Sequence, residues 1–203
     1  GTVLGDGGAA KGVRPGFEIF FYTHCALPEF DLDRVDLSTN LFGRRLDAPF
    51  LFSSMPGGTA MAHAINLHPA EAAQALGIAM GLGSQRAAIE RTELAETYRV
   101  RKVAPDILLF ANFGAVRLNY GYGVDEARRA VDMIEADALF LHLNPLQEAV
   151  QSDGDRDWGG VLDRIGDLAS ALDIPVVVKE VGNGISATLA RRLADCEIGR
   201  AHV

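Results

Sequence analysis

Five short apolar runs, rich in β-branched and aromatic residues, recur along the chain: Pro49 to Met55, Ile78 to Gly83, Ile107 to Phe113, Ala138 to Asn144 and Pro175 to Val181. Within them, Leu108-Leu109-Phe110 and Val176-Val177-Val178 show no polar alternation, which suits strands covered on both faces, as in parallel sheets. Amphipathic stretches separate the runs: Ala60 to Leu76, Ile89 to Val103, Asp125 to Glu135 and Val161 to Leu172. The spacing is that of successive βα units rather than of a short solenoid repeat. Ahead of the first run, Gly16 to Phe30 and the acidic stretch Asp31 to Asp36 carry no sustained periodicity, so they read as a lead-in of turns and short strands.

Two architectures are built from such units, the doubly wound open sheet and the closed barrel. Neither a G-x-G-x-x-G turn nor a G-x-x-x-x-G-K-[ST] loop follows the first strand, which weakens the open-sheet nucleotide-binding reading. Polar residues instead stand at the C-terminal ends of all five strands: Ser54, Ser84, Asn112, His142 with Asn144, and Lys179 with Glu180. A barrel gathers those ends around one mouth, where its active sites lie. The expected fold is therefore α/β, a (β/α)8 TIM barrel broken off after about five βα units. The corresponding organisation is a lead-in over residues 1–47, a partial barrel over 48–196 and a non-native tail over 197–203. That tail, Glu197 to Val203, is the translation of a stretch resembling a common sequencing adapter, and re-sequencing across it would test its origin.

Composition narrows the partners. The 203 residues carry a net charge of −8, which argues against nucleic acid, since phosphate-backbone binding needs a basic surface. A small phosphorylated ligand needs only a local cluster of donors and stays open. No apolar run approaches a membrane span, and no signal segment opens the chain. Cys25 and Cys196 fit no metal or redox spacing, so a reducing cytoplasm is expected.

The densest polar group is His142-Leu143-Asn144-Pro145-Leu146-Gln147-Glu148. His142 and Asn144 lie two apart and share a strand face, and a loop opened by Pro145 is expected to present Gln147 and Glu148 beside them. A lone histidine is more often a satisfied core residue. A buried group of four polar side chains without a role would cost several unsatisfied donors and acceptors. Glu148 is a hard oxygen ligand of the kind Mg²⁺ takes together with substrate phosphates. Lys179 offers a fixed positive charge to an anionic ligand, whereas strand alternation turns Glu180 away from the mouth. The turns Ser54-Met55-Pro56-Gly57-Gly58, Gly81-Leu82-Gly83-Ser84-Gln85-Arg86 and Asn112 with Gly114 suggest a flat ligand lying across the strand ends.

Taken together, Gly16-Phe17-Glu18, His24 with Ala26-Leu27-Pro28-Glu29, Ser53 to Gly58, Gly83 to Arg86, Ala111 to Ala115, His142 to Glu148 and Lys179 to Gly182 resemble the type 2, FMN-dependent isopentenyl-diphosphate isomerases. The resemblance implies conversion of isopentenyl diphosphate to dimethylallyl diphosphate by a 1,3-allylic proton shift, in isoprenoid biosynthesis. It implies reduced FMN, NADPH as reductant, and Mg²⁺. It places FMN on Ser54, Met55, Pro56, Ser84, Asn112 and Lys179, and substrate on Ser84, Gln85, Arg86, His142, Asn144 and Gln147. Arg86 and His142 would donate to the diphosphate, Glu148 would hold Mg²⁺, and Gln147 and Lys179 would be the catalytic residues. A homo-oligomer is a family expectation.

The sequence also departs from that family. Pro56 stands where the family usually has threonine and offers neither hydroxyl nor N–H. The family's Arg-Lys-x-x-His substrate segment has no counterpart in Gly1 to Pro15, and Lys11 does not take its role. The glycine turns that hold the FMN phosphate would lie beyond Cys196, so the polypeptide as it stands is expected to bind FMN poorly and to be inactive. The alternatives are another FMN barrel of the α-hydroxy-acid oxidase type, and an inactive barrel fragment.

Overall fold

A computed structural model describes residues 17–54, 56–196 and 198. Residues 1–16, which include Lys11 and Gly16, lie outside that range, as do Met55 and all of the 197–203 tail except Ile198.

The chain first forms an antiparallel hairpin, β1 (Thr39–Leu41) and β2 (Arg44–Leu46), turned through Phe42 and Gly43 at positive φ. It then winds through β3 (Leu51–Phe52), α1 (Ala60–Leu76), β4 (Ala79–Gly81), α2 (Arg86–Glu90), β5 (Leu109–Gly114) and α3 (Val124–Ile134). It continues through β6 (Ala138–Leu143), α4 (Pro145–Val150), α5 (Val161–Ala171), β7 (Val176–Glu180) and α6 (Ala187–Asp195). Strands β3 to β7 pair in chain order, every pair parallel. This is a curled α/β sheet forming an arc of a (β/α)8 barrel.

The helix expected over Ile89 to Val103 is divided. Arg91 adopts an extended conformation (φ −138°, ψ 95°) after α2, and a tighter 3-10 helix runs from Thr92 to Tyr98. That break swings Tyr98 inward, where its hydroxyl donates to the Ser84 carbonyl at 2.8 Å. The segment after Asn144 is not a loop either. Pro145 opens α4 at a position where its missing N–H costs nothing, so Gln147 and Glu148 stand on a short helix.

Strand alternation separates two cores. Leu109, Ala111, Phe113, Leu139, Leu141 and Val176 face the surrounding helices. Ala79, Leu108, Phe110, Ala138 and Phe140 face the concave side, where Leu46 of the hairpin and its neighbours Leu41 and Phe42 pack against them. The Phe110 and Phe140 rings stack at 4.3 Å between centroids, and a Cβ on Gly81 would stand 2.6 Å from the Phe140 ring. Further up the same concave face, apolar residues give way to Asn112, His142 and Lys179. The barrel floor is therefore apolar and its mouth polar, a gradient that follows directly from the order of residues along β5, β6 and β7. Below the floor, Asp137 ties the ends together, pairing with Arg44 and with Arg101 at 2.8 Å and accepting from Leu109 N–H at 2.9 Å.

Candidate active site

The strand register sets the centre of the mouth. Gly114 pairs with His142, and His142 pairs with Lys179, so three neighbouring strands present these positions side by side. The imidazole lies over Gly114, where a Cβ would stand 3.1 Å from Nε2. These residues belong to a cleft of about 600 Å³ whose walls include Ser54, Pro56, Ser84, Arg86, Asn112, His142, Asn144, Gln147, Glu148 and Lys179. Most of the polar residues singled out along the sequence thus meet in one place. Glu180 does not line it, and its carboxylate accepts from the N–H groups of Gly182, Asn183 and Gly184 instead. Those bonds hold its pKa below the usual carboxylate range, even though partial burial opposes them.

Asn112 organises the centre. Its amide nitrogen donates to the Leu82 carbonyl at 2.9 Å and to Ser54 Oγ at 3.0 Å. A carbonyl can only accept, so this contact fixes the amide orientation and points Oδ1 at His142 Nδ1, 2.9 Å away. His142 therefore carries its proton on Nδ1, and Nε2 is a bare acceptor facing the cleft. Burial, and secondarily the Lys179 charge, push the His142 pKa down to about 4. The sequence-based expectation that His142 donates to a diphosphate needs amending on this point: Nε2 accepts, and donates only after taking up a proton.

The sign of the resulting pH dependence follows. The folded-state pKa lies below the unfolded value of about 6.5, so the neutral form is favoured by folding. That contribution is present above pH 6.5 or so and is lost as the pH falls toward 4. Denaturant titrations at pH 7 and pH 4.5 should show this loss, and His142→Asn should flatten the difference; an unaltered pH slope in the variant would refute the assignment.

Gln85 does not reach the cleft. It is 0% exposed; Oε1 accepts from Asn112 N–H at 2.9 Å and Nε2 donates to the Ala130 carbonyl at 2.7 Å. The expected direct substrate contact is replaced by a buried strut behind Asn112. Its neighbour Arg86 does face the mouth, half exposed, with Nε bonded to Glu90 at 3.0 Å. Ser84 lines the cleft beside it. Pro56 has its carbonyl bonded by Asn66 Nδ2 at 2.8 Å, which anchors the turn although the proline offers no donor.

Opposite this wall, Glu148 is held at both oxygens. Asn144 Nδ2 donates to Oε1 at 2.7 Å and Asp155 N–H donates to Oε2 at 2.8 Å. Asn144 Oδ1 is buried without a partner and remains available as an acceptor. Among the described residues no group of three or more His, Cys, Asp or Glu side chains gathers as a metal cage. A single oriented carboxylate fits a hard cation that arrives with phosphate oxygens of its own. Lys179 is half buried, and burial lowers its pKa, offset in part by Glu180.

Sequence reasoning missed three contributors. Arg117 and Asp155 line the cleft, and Tyr98 underlies two of its turns, where any Cβ on Gly57 would collide with the phenol ring. Burial raises the Tyr98 pKa to about 12, so it serves as a neutral donor. The glycine at 57 was the available signal for a close approach; nothing in the sequence said what approaches it.

A family profile described as FMN-dependent dehydrogenase matches residues 28–103. The chain is 63% identical over 201 residues to the isopentenyl-diphosphate delta-isomerase of Synechocystis sp., covering 99% of this chain and 58% of that protein. It is 60% identical over 202 residues to the protein of the same name from Stutzerimonas stutzeri, again over 99% of this chain and 58% of the relative. The chain thus spans a little over half the length of these curated relatives. Among solved structures, a mandelate oxidase with 2-hydroxy-phenylacetamide superposes with a TM-score of 0.54 at 19% identity, over 83% of this chain and 51% of that one. A mandelate oxidase carrying a C4a-hydroxy FMN adduct gives a TM-score of 0.53, also at 19% identity, over 83% of this chain and 52% of its own. At that identity the likeness bears on the fold alone, and it agrees with the barrel arc.

Proposed function

We propose that this chain supplies the flavin-facing and diphosphate-facing walls of a type 2 isopentenyl-diphosphate delta-isomerase, which interconverts isopentenyl and dimethylallyl diphosphate. The observation that carries the reading is one cleft that joins the Asn112–His142–Lys179 floor to Arg86 and Glu148. The 58–63% identity to three relatives of that name supports it. FMN is the proposed cofactor, with NADPH as its reductant and Mg²⁺ as the metal, in the cytoplasm.

The donor set fits these groups. The small residues Ser54, Gly57, Gly83 and Ser84 along the cleft wall suit a flat ring lying against the strand ends. Asn112 has both amide protons engaged and keeps one lone pair on Oδ1 for a ligand N–H. Reduced FMN, when bound, supplies the acid–base chemistry of the allylic proton shift.

The chain's own residues do the rest. Lys179 places a positive charge beside the ring position, favouring a ligand that carries negative charge. Arg86 offers a planar fork to diphosphate oxygens. Glu148, held by Asn144 and Asp155, receives the divalent cation that offsets the diphosphate charge. Gln147 stands on α4 above the same cleft and is proposed to contact the double bond. His142 Nε2 accepts from a ligand donor, or takes up a proton as the diphosphate arrives. Met55, Pro56 and Ser84 complete the proposed flavin contacts.

The test uses the protein as its gene encodes it, with FMN, NADPH, Mg²⁺ and isopentenyl diphosphate under anaerobic conditions. Dimethylallyl diphosphate should form, and omission of either FMN or Mg²⁺ should abolish it. No product under reducing conditions, in a folded flavin-bound protein, would refute the assignment.

A further inference from the structure

Arg117 stands three residues beyond β5, in a 3-10 segment (Ala115–Asn119), with its side chain 14% exposed. Nη1 donates to Asp155 Oδ2 at 2.9 Å and Nη2 to Glu90 Oε1 at 3.2 Å. The guanidinium also lies 4.9 Å from the centre of the Tyr122 ring. The same two carboxylates face Arg86, with Glu90 at 3.0 Å and Asp155 at 3.8 Å. Two cations and two anions are therefore shared at the cleft wall, but they differ in freedom. Arg86 is 46% exposed and can turn, whereas Arg117 is packed between a tyrosine ring and a carboxylate with 11% exposure.

Asp155 also leads to the proposed cation position. Its backbone N–H orients Glu148 Oε2 at 2.8 Å, and a Cβ on the adjacent Gly154 would run into the Glu148 carbonyl. The 151–159 segment is therefore pressed against α4. From the other side, Asn119 Nδ2 donates to the Asp157 and Gly159 carbonyls at 2.9 Å. The Tyr120 hydroxyl accepts from the Arg156 and Asp157 N–H groups at 3.1 and 3.0 Å. From the Ala115–Asn119 segment Arg117 reaches the cleft, where Asp155 also stands.

We infer that Arg117 is a positioning residue for the diphosphate end of the cleft: by clamping Asp155 it sets Glu148, and by neutralising Asp155 and Glu90 it frees Arg86 to turn onto an anion. The inference rests on the proposed isomerase reading, since that reading puts a diphosphate there. Without Arg117, both carboxylates would hold Arg86 and leave the wall net negative, opposing the anion.

Binding of inorganic pyrophosphate with Mg²⁺ to the full protein, followed by calorimetry, tests this. Arg117→Gln should weaken binding about tenfold to a hundredfold, the scale of lost charge-assisted bonds, and raise the Mg²⁺ concentration needed for half-saturation. Asp155→Asn, which breaks the clamp but also removes an anion from the wall, should raise the Mg²⁺ concentration needed for half-saturation while weakening pyrophosphate binding less than Arg117→Gln does. Arg117→Lys, which keeps the charge but not the fork, should recover only part of the affinity. In turnover, KM for the diphosphate should rise while kcat stays near the parent value. Parent-like pyrophosphate affinity in folded Arg117→Gln would overturn the inference and leave the isomerase reading standing. Should that variant not fold, Arg117→Lys and Asp155→Asn decide, and a parent-like Mg²⁺ concentration for half-saturation in both overturns it. If the unaltered protein binds no pyrophosphate with Mg²⁺, the isomerase reading fails first and the inference falls with it.

Discussion

Replacing Gln85 by leucine is expected to lower folding stability by about 2–4 kcal/mol, although the side chain does not line the cleft and the substitution is apolar in a buried place. The magnitude comes from what leucine leaves behind. Gln85 is fully buried; it is the acceptor for Asn112 N–H and a donor to the Ala130 carbonyl of α3. Removing it strands a buried donor, which costs about 1–3 kcal/mol, and weakens a second bond. In a domain of this size each kcal/mol moves the thermal midpoint by about 2–4 °C, so a drop of about 5–15 °C is expected. The effect should also travel. Asn112 fixes both Ser54 Oγ and His142 Nδ1, so a loosened Asn112 should shift the His142 ring resonances, as followed by NMR. A stability loss without any movement of the histidine would mean that Gln85 supports the fold but not the site.

Gln85 also shows where reading along the chain stops. The five βα units and the gathering of Ser54, Ser84, Asn112, His142 and Lys179 were legible, because side-chain direction alternates with fixed period in a strand and parallel strands end on the same side. The boundaries of α1 were legible as well: Thr59 caps it through Ala62 N–H at 3.0 Å, and Gly77 ends it in the left-handed conformation. What escaped depends on contacts distant in sequence. Gln85 sits beside Arg86 in one polar turn, yet one points inward to α3 and the other outward to Glu90, and local pattern does not distinguish them. Arg117 likewise gains its meaning only from Asp155, 38 residues later. The tautomer of His142 was hidden for the same reason, since it is set by a carbonyl on a different strand end, Leu82, acting through Asn112.

Lys179→Ala should lower turnover by about a hundredfold to a thousandfold while leaving the fold nearly intact. The strand register puts Lys179 next to His142, and both line the cleft with Ser54 and Ser84, so the ammonium stands at the edge of the surface proposed for the flavin ring. It is half buried, and burial holds its pKa below the usual lysine value, yet Glu180 offsets part of that penalty and keeps the charge in place. Partial desolvation raises the worth of this charge to a nearby anion, because less water screens the interaction. The loss should therefore be selective. Affinity for reduced FMN should fall much more than affinity for the oxidised form, and the bound flavin's reduction potential should drop. Lys179→Arg should restore part of both, since the charge returns on a larger, planar head. His142 offers an internal reporter: with the neighbouring positive charge gone, its pKa should rise above about 4 even with no ligand present. Equal loss of both flavin redox forms would point to packing instead of charge, and unchanged turnover would remove Lys179 from the mechanism.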